Sequence, residues 1–238
     1  ELYEGYPKII LPLGKIQSLL EYLDNHEIKN LVIVGKVKYR DLRTINPDFQ
    51  GAILLAKIIK NKFLGDDQIL NTIAQYLTTK GYKLHSPQEI LLQQQAQFDD
   101  LNNHSQDFHT LTDQDLSDIG FGFEAAKMLG RFDIGQALIV EHGKIIGVEA
   151  LEGTDALIKR CAALRAQESP SGILVKVIKP NQNQTMDIPA VGPDTIQCLS
   201  DNNYKGLAIE HKQVVIINPT EVFALAQTLG IFIHQIKL

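Results

Sequence analysis

With 238 residues, 44% of them hydrophobic and 21% charged, the chain has an ordinary globular composition and is long enough for two small domains or one large one. A formal net charge of -5 removes the basic footprint of nucleic-acid binding, so no nucleic acid is expected as a partner. Two cysteines, Cys161 and Cys198, in apolar surroundings exclude a disulfide framework and a thiolate metal site and favour a reducing cytoplasm, while no stretch approaches the roughly 20 apolar residues of a membrane span and no signal peptide is visible.

The chain begins at Glu1 and enters a predicted strand almost at once, at Ile9 to Leu13, so an upstream segment is expected to precede it. Ile16, Leu19, Leu20 and Leu23 mark one face of a helix. Leu31-Val32-Ile33-Val34 is a continuous apolar run, the pattern of a strand buried on both faces. Strand, helix, strand predicts a parallel βαβ unit and a Rossmann-like amino-terminal domain. Gly35 and Lys36 then fall just past a strand's carboxyl end, where open α/β sheets bind ligands. Helices are expected over Ala52 to Lys62 and Asp67 to Thr79, with Asp66 and Asp67 as caps and Gly81 as the stop. The polar, amide-rich stretch Gln93 to Asp107 marks a boundary. The expected division is an amino-terminal domain over 1–95, a linker over 96–111 and a carboxy-terminal domain over 112–238.

The second half reads as α/β with a mixed sheet. Thr112, with Asp115 three residues on, predicts a capping box, and Leu116, Ile119, Phe123 and Ala126 an apolar stripe. Ala137–Val140 and Ile145–Val148 flank Glu141-His142-Gly143-Lys144 as a hairpin. A helix from Asp155 buries Leu157, Cys161 and Leu164, and a strand follows over Gly172–Ile178. Pro193 opens a short helix through Leu199. Leu207–Glu210, Val214–Ile217 and Ile231–Ile233 are strands, with a helix from Pro219 to Leu229 between the last two.

Polar residues gather at the predicted strand ends: Glu149, Glu152 and Asp155, then Lys176 and Lys179, then Gln182, Asp187 and Gly192. Gly153 permits a tight turn and the close approach of a ligand. Thr154 can cap the next helix, whose first N–H groups attract an anion such as phosphate. Lys176 and Lys179 add positive charge, and Asp155, Asp187 and either Glu149 or Glu152 could hold a hard divalent cation. Each residue also has a plainer reading: Thr154-Asp155 as a helix cap, the lysines as solvated strand ends, Asp187 before Ile188-Pro189 as a turn. The histidines have no ligand spacing, and neither a glycine elbow nor a glycine-rich phosphate loop is present.

Taken together, Asp133-x-Gly135-Gln136, Val148-Glu149-Ala150-Leu151-Glu152-Gly153-Thr154-Asp155-Ala156, Val175-Lys176-x-x-Lys179-Pro180-x-Gln182 and Asp187-Ile188-Pro189-x-x-Gly192-Pro193-x-Thr195 resemble the I-type UDP-2,3-diacylglucosamine pyrophosphatases of lipid A synthesis. Val34-Gly35-Lys36-Val37 and Gly65-Asp66-Asp67 extend the resemblance into the first half. It implies a cytoplasmic enzyme of Gram-negative bacteria, peripheral to the inner membrane face. With magnesium or another divalent cation, water would attack the α-phosphorus, giving UMP and 2,3-diacylglucosamine 1-phosphate. Two domains would hold the lipid between them, and the first would open with a strand and a glycine-rich turn not found in this chain. A homodimer is allowed.

By the resemblance, Asp187 and Asp155 are catalytic, and together with Glu152 they are the metal ligands. Gly153, Thr154, Lys176, Lys179, Gln182, Gly192, Thr195, Gly35 and Lys36 bind substrate. The chain departs from the family where it reads Gln182-Asn183-Gln184-Thr185 in place of Gln-Asp-x-Arg, losing a carboxylate at Asn183 and a guanidinium at Thr185. Arg160 or Arg131 is the alternative cation. The competing readings are a hydrolase of another sugar nucleotide and a non-catalytic nucleotide-sugar or lipid-binding protein. Leu116, Phe121 and Phe123 are candidates to line an acyl groove, although Phe123 also fits a domain core.

Overall fold

The structure is a computed structural model that describes residues 5–34, 45–60, 66–87, 111–165, 169–180 and 188–237. These fall in two compact units, one ending at Pro87 and the other beginning at Leu111.

The first unit runs α1 (Ile16–Asn25), β1 (Asn30–Leu31), α2 (Phe49–Lys60), α3 (Asp66–Thr79) and β2 (Lys83–Leu84). Strands β1 and β2 pair in parallel, so a parallel crossover is present, with α2 and α3 inside it. Asp48 serves two helices at once. Its carboxylate accepts from the Gln17 amide of α1 at 2.9 Å and from the Gly51 amide of α2 at 2.8 Å.

Two sequence expectations fail in this unit. Ile9 to Leu13 forms no strand, and Ile10 is 92% exposed. The run Leu31 to Val34 is not buried on both faces either. Leu31 and Ile33 pack against α1 and α3 residues such as Leu23 and Leu70, whereas Val34 is 79% exposed. Among the described residues, side chains cover one face of this strand, so the apolar run reports one-sided burial.

The second unit carries a five-stranded mixed sheet in the order β4-β3-β5-β7-β9. Its strands are β3 (Ala137–Glu141), β4 (Lys144–Val148), β5 (Ile173–Lys176), β7 (Gly206–Glu210) and β9 (Phe232–Ile236). The β3–β4 and β3–β5 pairs are antiparallel, and β5–β7 and β7–β9 are parallel. A separate parallel pair joins β6 (Ala190–Val191) to β8 (Val215–Ile216). The mixed sheet matches the sequence expectation.

Strand alternation divides the core into two layers. Leu138, Val140, Ile173, Val175 and Ala208 meet Ile119, Phe123 and Ala126 of α4 (Asp113–Gly130). The opposite face, with Ile139, Leu174 and Leu207, is covered by α5 (Thr154–Ala162), α6 (Pro193–Asp201) and α7 (Pro219–Leu229) through Leu157, Leu199 and Val222. The Thr112–Asp115 capping box forms as expected, but Leu116 is 47% exposed, so the buried stripe of α4 begins at Asp115 and Ile119. Leu164, expected on the α5 face, lies beyond that helix and is exposed.

Candidate functional site

The parallel strands β5 and β7 end at Lys176 and Glu210, and the register sets Ala137, at the amino end of β3, opposite Lys176. Val148, the last residue of β4, pairs with Leu138. The chain segments before β3, after β4 and after β5 therefore meet at one end of the sheet, the end where α/β sheets bind ligands.

A buried polar chain crosses this end. Glu149 is 4% exposed and Lys176 5% exposed. The Thr154 hydroxyl donates to Glu149 Oε1 at 2.8 Å and accepts from Lys176 Nζ at 3.0 Å. The other carboxylate oxygen, Glu149 Oε2, accepts from the Gln136 amide at 3.1 Å, and Lys176 Nζ also donates to the Ala190 carbonyl at 2.8 Å. One hydroxyl thus bridges a buried anion and a buried cation, and burial of both charges requires such partners. Lys176 is therefore no solvated strand-end lysine. Its ammonium ties the first residue of α5 to the strand β6, which leads into α6.

Glycines make the turns around this chain possible. Gly153 is the N-cap of α5 at φ +84° and ψ 170°, a conformation essentially reserved for glycine. The sequence expected Thr154 as the cap, but Thr154 is the first helical residue and its hydroxyl faces Glu149 and Lys176. No side chain caps α5, so its first amides are left for another acceptor. Gly135, at φ +49°, lies against the Glu149 carbonyl, and a Cβ there would come within 2.0 Å of that oxygen. That contact explains why Asp133-x-Gly135-Gln136 belongs with the Glu149 motif.

The remaining predicted residues divide. Lys179 Nζ donates to Asp133 Oδ1 at 2.6 Å, joining two of the sequence motifs. Gly192 starts α6, and its amide reaches Thr195 Oγ1 at 3.5 Å, so Thr195 closes the first turn of that helix. Glu152 stands outside the buried chain. Its Oε1 accepts from Arg160 at 2.8 Å and its Oε2 from the Ala150 amide, and the Arg160 guanidinium holds the carboxyl below its usual range. Asp155 is exposed in the first turn of α5 and has no hydrogen-bond partner among the described residues. Gly35, Lys36, Gln182 and Asp187 lie outside the described residues, as do Asn183, Thr185 and the expected linker up to residue 110. Among the described residues, no three carboxylate, imidazole or thiol side chains stand together as a cation's ligand set.

Sequence reasoning missed a second ion pair at the same end, with a buried carboxylate and a part-buried ammonium. Glu210, 4% exposed, accepts from Lys127 Nζ at 2.7 and 2.8 Å. A signal existed: Lys127 continues the Ile119–Phe123 stripe at a spacing of four, and Glu210 ends an otherwise apolar strand.

Comparison with known proteins decides the family. The LpxI C-terminal domain family matches residues 105–234, and the LpxI N-terminal domain family matches residues 3–94. The chain belongs to the LpxI family. It is also similar to a protein of Caulobacter vibrioides named UDP-2,3-diacylglucosamine pyrophosphatase LpxI, at 27% identity over 235 residues, covering 97% of this chain and 82% of that relative. The family resemblance carried by the sequence motifs is thereby borne out. In this LpxI-family chain, the Asp133, Glu149 and Lys176 motifs are the segments that meet at the carboxyl end of the sheet.

Proposed function

We propose that this chain is a pyrophosphatase that hydrolyses UDP-2,3-diacylglucosamine to UMP and 2,3-diacylglucosamine 1-phosphate, a step of lipid A synthesis. Family membership and the relative's name support the substrate. The observation that carries the chemistry is the buried Glu149–Thr154–Lys176 chain at the carboxyl end of the sheet. It holds a fixed positive charge beside the amino end of α5, whose first turn has no side-chain cap. An ammonium and free helix amides stabilise the charge that develops on phosphate oxygens as the bond breaks. The water oxygen bonds to the α-phosphorus, the bridging oxygen leaves with the sugar phosphate, and one water proton is lost. Lys176, Lys179, Gly153, Thr154, Gly192 and Thr195 are assigned to substrate binding with Gln182, Gly35 and Lys36, and Asp155 and Asp187 to the reacting centre.

A magnesium requirement is a further part of the proposal. The described carboxylates do not form a ligand set for it, so no step is drawn through the ion. No helix among the described residues is long and apolar enough to cross a membrane. The proposal includes a peripheral encounter with the diacylated substrate at the cytoplasmic face of the inner membrane.

The test is UMP release from UDP-2,3-diacylglucosamine, measured for the wild type, for Lys176→Met and for the wild type in excess chelator. Release by the wild type and its loss in Lys176→Met support the reading. A silent wild type that still binds the lipid nucleotide would convert the assignment to a binding protein. Full release in chelator would remove the metal alone.

A further inference from the structure

Strand β5 ends at Lys176, and the next residues carry Lys179 and Pro180 away from the sheet. The Val177 amide still bonds to the Gln136 carbonyl at 2.9 Å. At Ile178 the backbone leaves the ladder, and both of its polar groups are taken by one ion pair. The Ile178 amide donates to Glu210 Oε2 at 3.0 Å, and the Ile178 carbonyl accepts from Lys127 Nζ at 3.0 Å. The pair itself is closed, because Lys127 Nζ reaches both oxygens of Glu210. Glu210 is 5% exposed at the side chain and Lys127 22%. The next residue, Lys179, reaches Asp133 in the motif that also supplies the Gln136 amide to Glu149. Beyond it, Pro180 lies against Gly130 at the end of α4, where a Cβ would come within 3.1 Å of the proline ring.

A buried ion pair is a poor way to gain stability, since apolar residues of similar size serve as well or better. Its specific product here is a fixed backbone. Glu210 comes from β7, the neighbour of β5 in the sheet, and Lys127 from α4, which packs on one face of that sheet, so two different elements grip a single peptide position. We infer that Lys127 and Glu210 are positioning residues for the proposed hydrolysis, holding Ile178 so that Lys179 is presented at the same end of the sheet as Lys176. The inference rests on the pyrophosphatase reading and extends it to a pair outside the sequence motifs.

The test is the double variant Lys127→Met/Glu210→Met, which removes both charges and keeps apolar bulk. Three quantities are read: thermal midpoint, hydrogen exchange at the Ile178 amide, and kcat/KM for UMP release from UDP-2,3-diacylglucosamine. A positioning role predicts a folded variant with a lowered midpoint, because the Ile178 amide and carbonyl lose their partners, together with faster Ile178 exchange and a fall in kcat/KM of about 10- to 100-fold, the scale of small misplacements at a reacting centre. Glu210→Gln keeps an acceptor for the Ile178 amide and loses only the charge, so it gives a smaller fall and carries the test if the double variant does not fold. Lys127→Arg keeps a cation able to reach both partners and recovers part of the loss.

Wild-type turnover in a folded double variant, or unchanged exchange at Ile178, overturns the inference while the pyrophosphatase reading stands. A wild type that releases no UMP overturns that reading, and the role assigned to the pair falls with it.

Discussion

The two ends of the second unit's sheet both bury charge, yet they use it differently. At the amino end of the parallel strands, the charged groups satisfy backbone amides and carbonyls of the turns and loops that join the strands. Asp118 accepts from the His142 and Gly143 amides at 2.7 Å each and so fixes the hairpin turn. Arg165 has a fully buried side chain, bonds to Glu141, to Ser171 and to the Asn202 and Asn203 carbonyls, and lies over the Tyr204 ring at 3.9 Å. At the carboxyl end, Glu149 and Lys176 meet on the Thr154 hydroxyl at the uncapped start of α5. Buried charge alone therefore does not mark a functional site. Its place in the topology, and the glycine-dependent turns around it, do.

The sharpest way to break this comparison is to remove one cation from each end. Arg165→Met should lower stability by about 3–5 kcal/mol, because it strands Glu141 and several carbonyls, while the protein that stays folded keeps its kcat. Lys176→Met should instead reduce kcat by about 100-fold or more, the scale found when a fixed donor to developing charge is lost. Denaturant titration and UMP release on both variants decide the matter. Equal loss of kcat in the two would erase the distinction between the ends.

Next in size is Gly153→Ala. A Cβ at this position meets nothing within 4 Å, so the cost is purely conformational, about 1–3 kcal/mol. Turnover should also fall as the start of α5 shifts. An unchanged chemical denaturation midpoint would show that the turn tolerates a side chain.

Thr154→Val should cost about 1–3 kcal/mol, since Glu149 and Lys176 each lose a buried partner. Thr154→Ser keeps the hydroxyl and should restore both stability and turnover. If Val and Ser behave alike, the hydroxyl bridge has no energetic role.

The smallest effect belongs to the exposed rim. Arg160 depresses the Glu152 carboxyl below its ordinary value of 4.5, so the pair contributes stability above that pH, lost as the pH falls through the lower folded value. Arg160 is 49% and Glu152 30% exposed, so solvent screening keeps the contribution well under about 1 kcal/mol. An acid titration of the thermal midpoint should show a shallow drop in that window, and Arg160→Gln should flatten it. A steep drop that survives in Arg160→Gln would assign the acid sensitivity elsewhere, with Asp115 first in view. Burial pushes the Asp115 carboxyl up, but Lys205 and the Thr112 amide outweigh that and hold it below its usual range.

Much of the second unit was legible in the sequence because its signals are local. The Thr112–Asp115 box needs only a spacing of three residues, and the His142-Gly143 turn needs only two residues at positive φ. Motif spacing likewise pointed to Glu149, Thr154 and Lys176 as neighbours at strand ends. Partner choice was not legible. Thr154 read as a cap, and nothing in a linear chain says that Arg160, eight residues on, turns back onto Glu152. In the first unit, Ile9 to Leu13 and Leu31 to Val34 misled for the same reason. An apolar run reports that burial is available, and only the neighbouring elements decide how many faces receive it.

The sequence by itself determined the family, the mixed α/β character of the second unit and some of the polar residues near its strand ends, Glu149, Thr154 and Lys176 among them, since all of these depend on residue order and short-range periodicity. Tertiary structure alone decided which of those residues touch. The β3–β5 register brings Ala137 opposite Lys176, close backbone approach makes Gly135 necessary beside Glu149, and Lys127 meets Glu210 across 83 residues of chain. Contacts at that separation are selected by the packing of whole layers, and no local pattern encodes them.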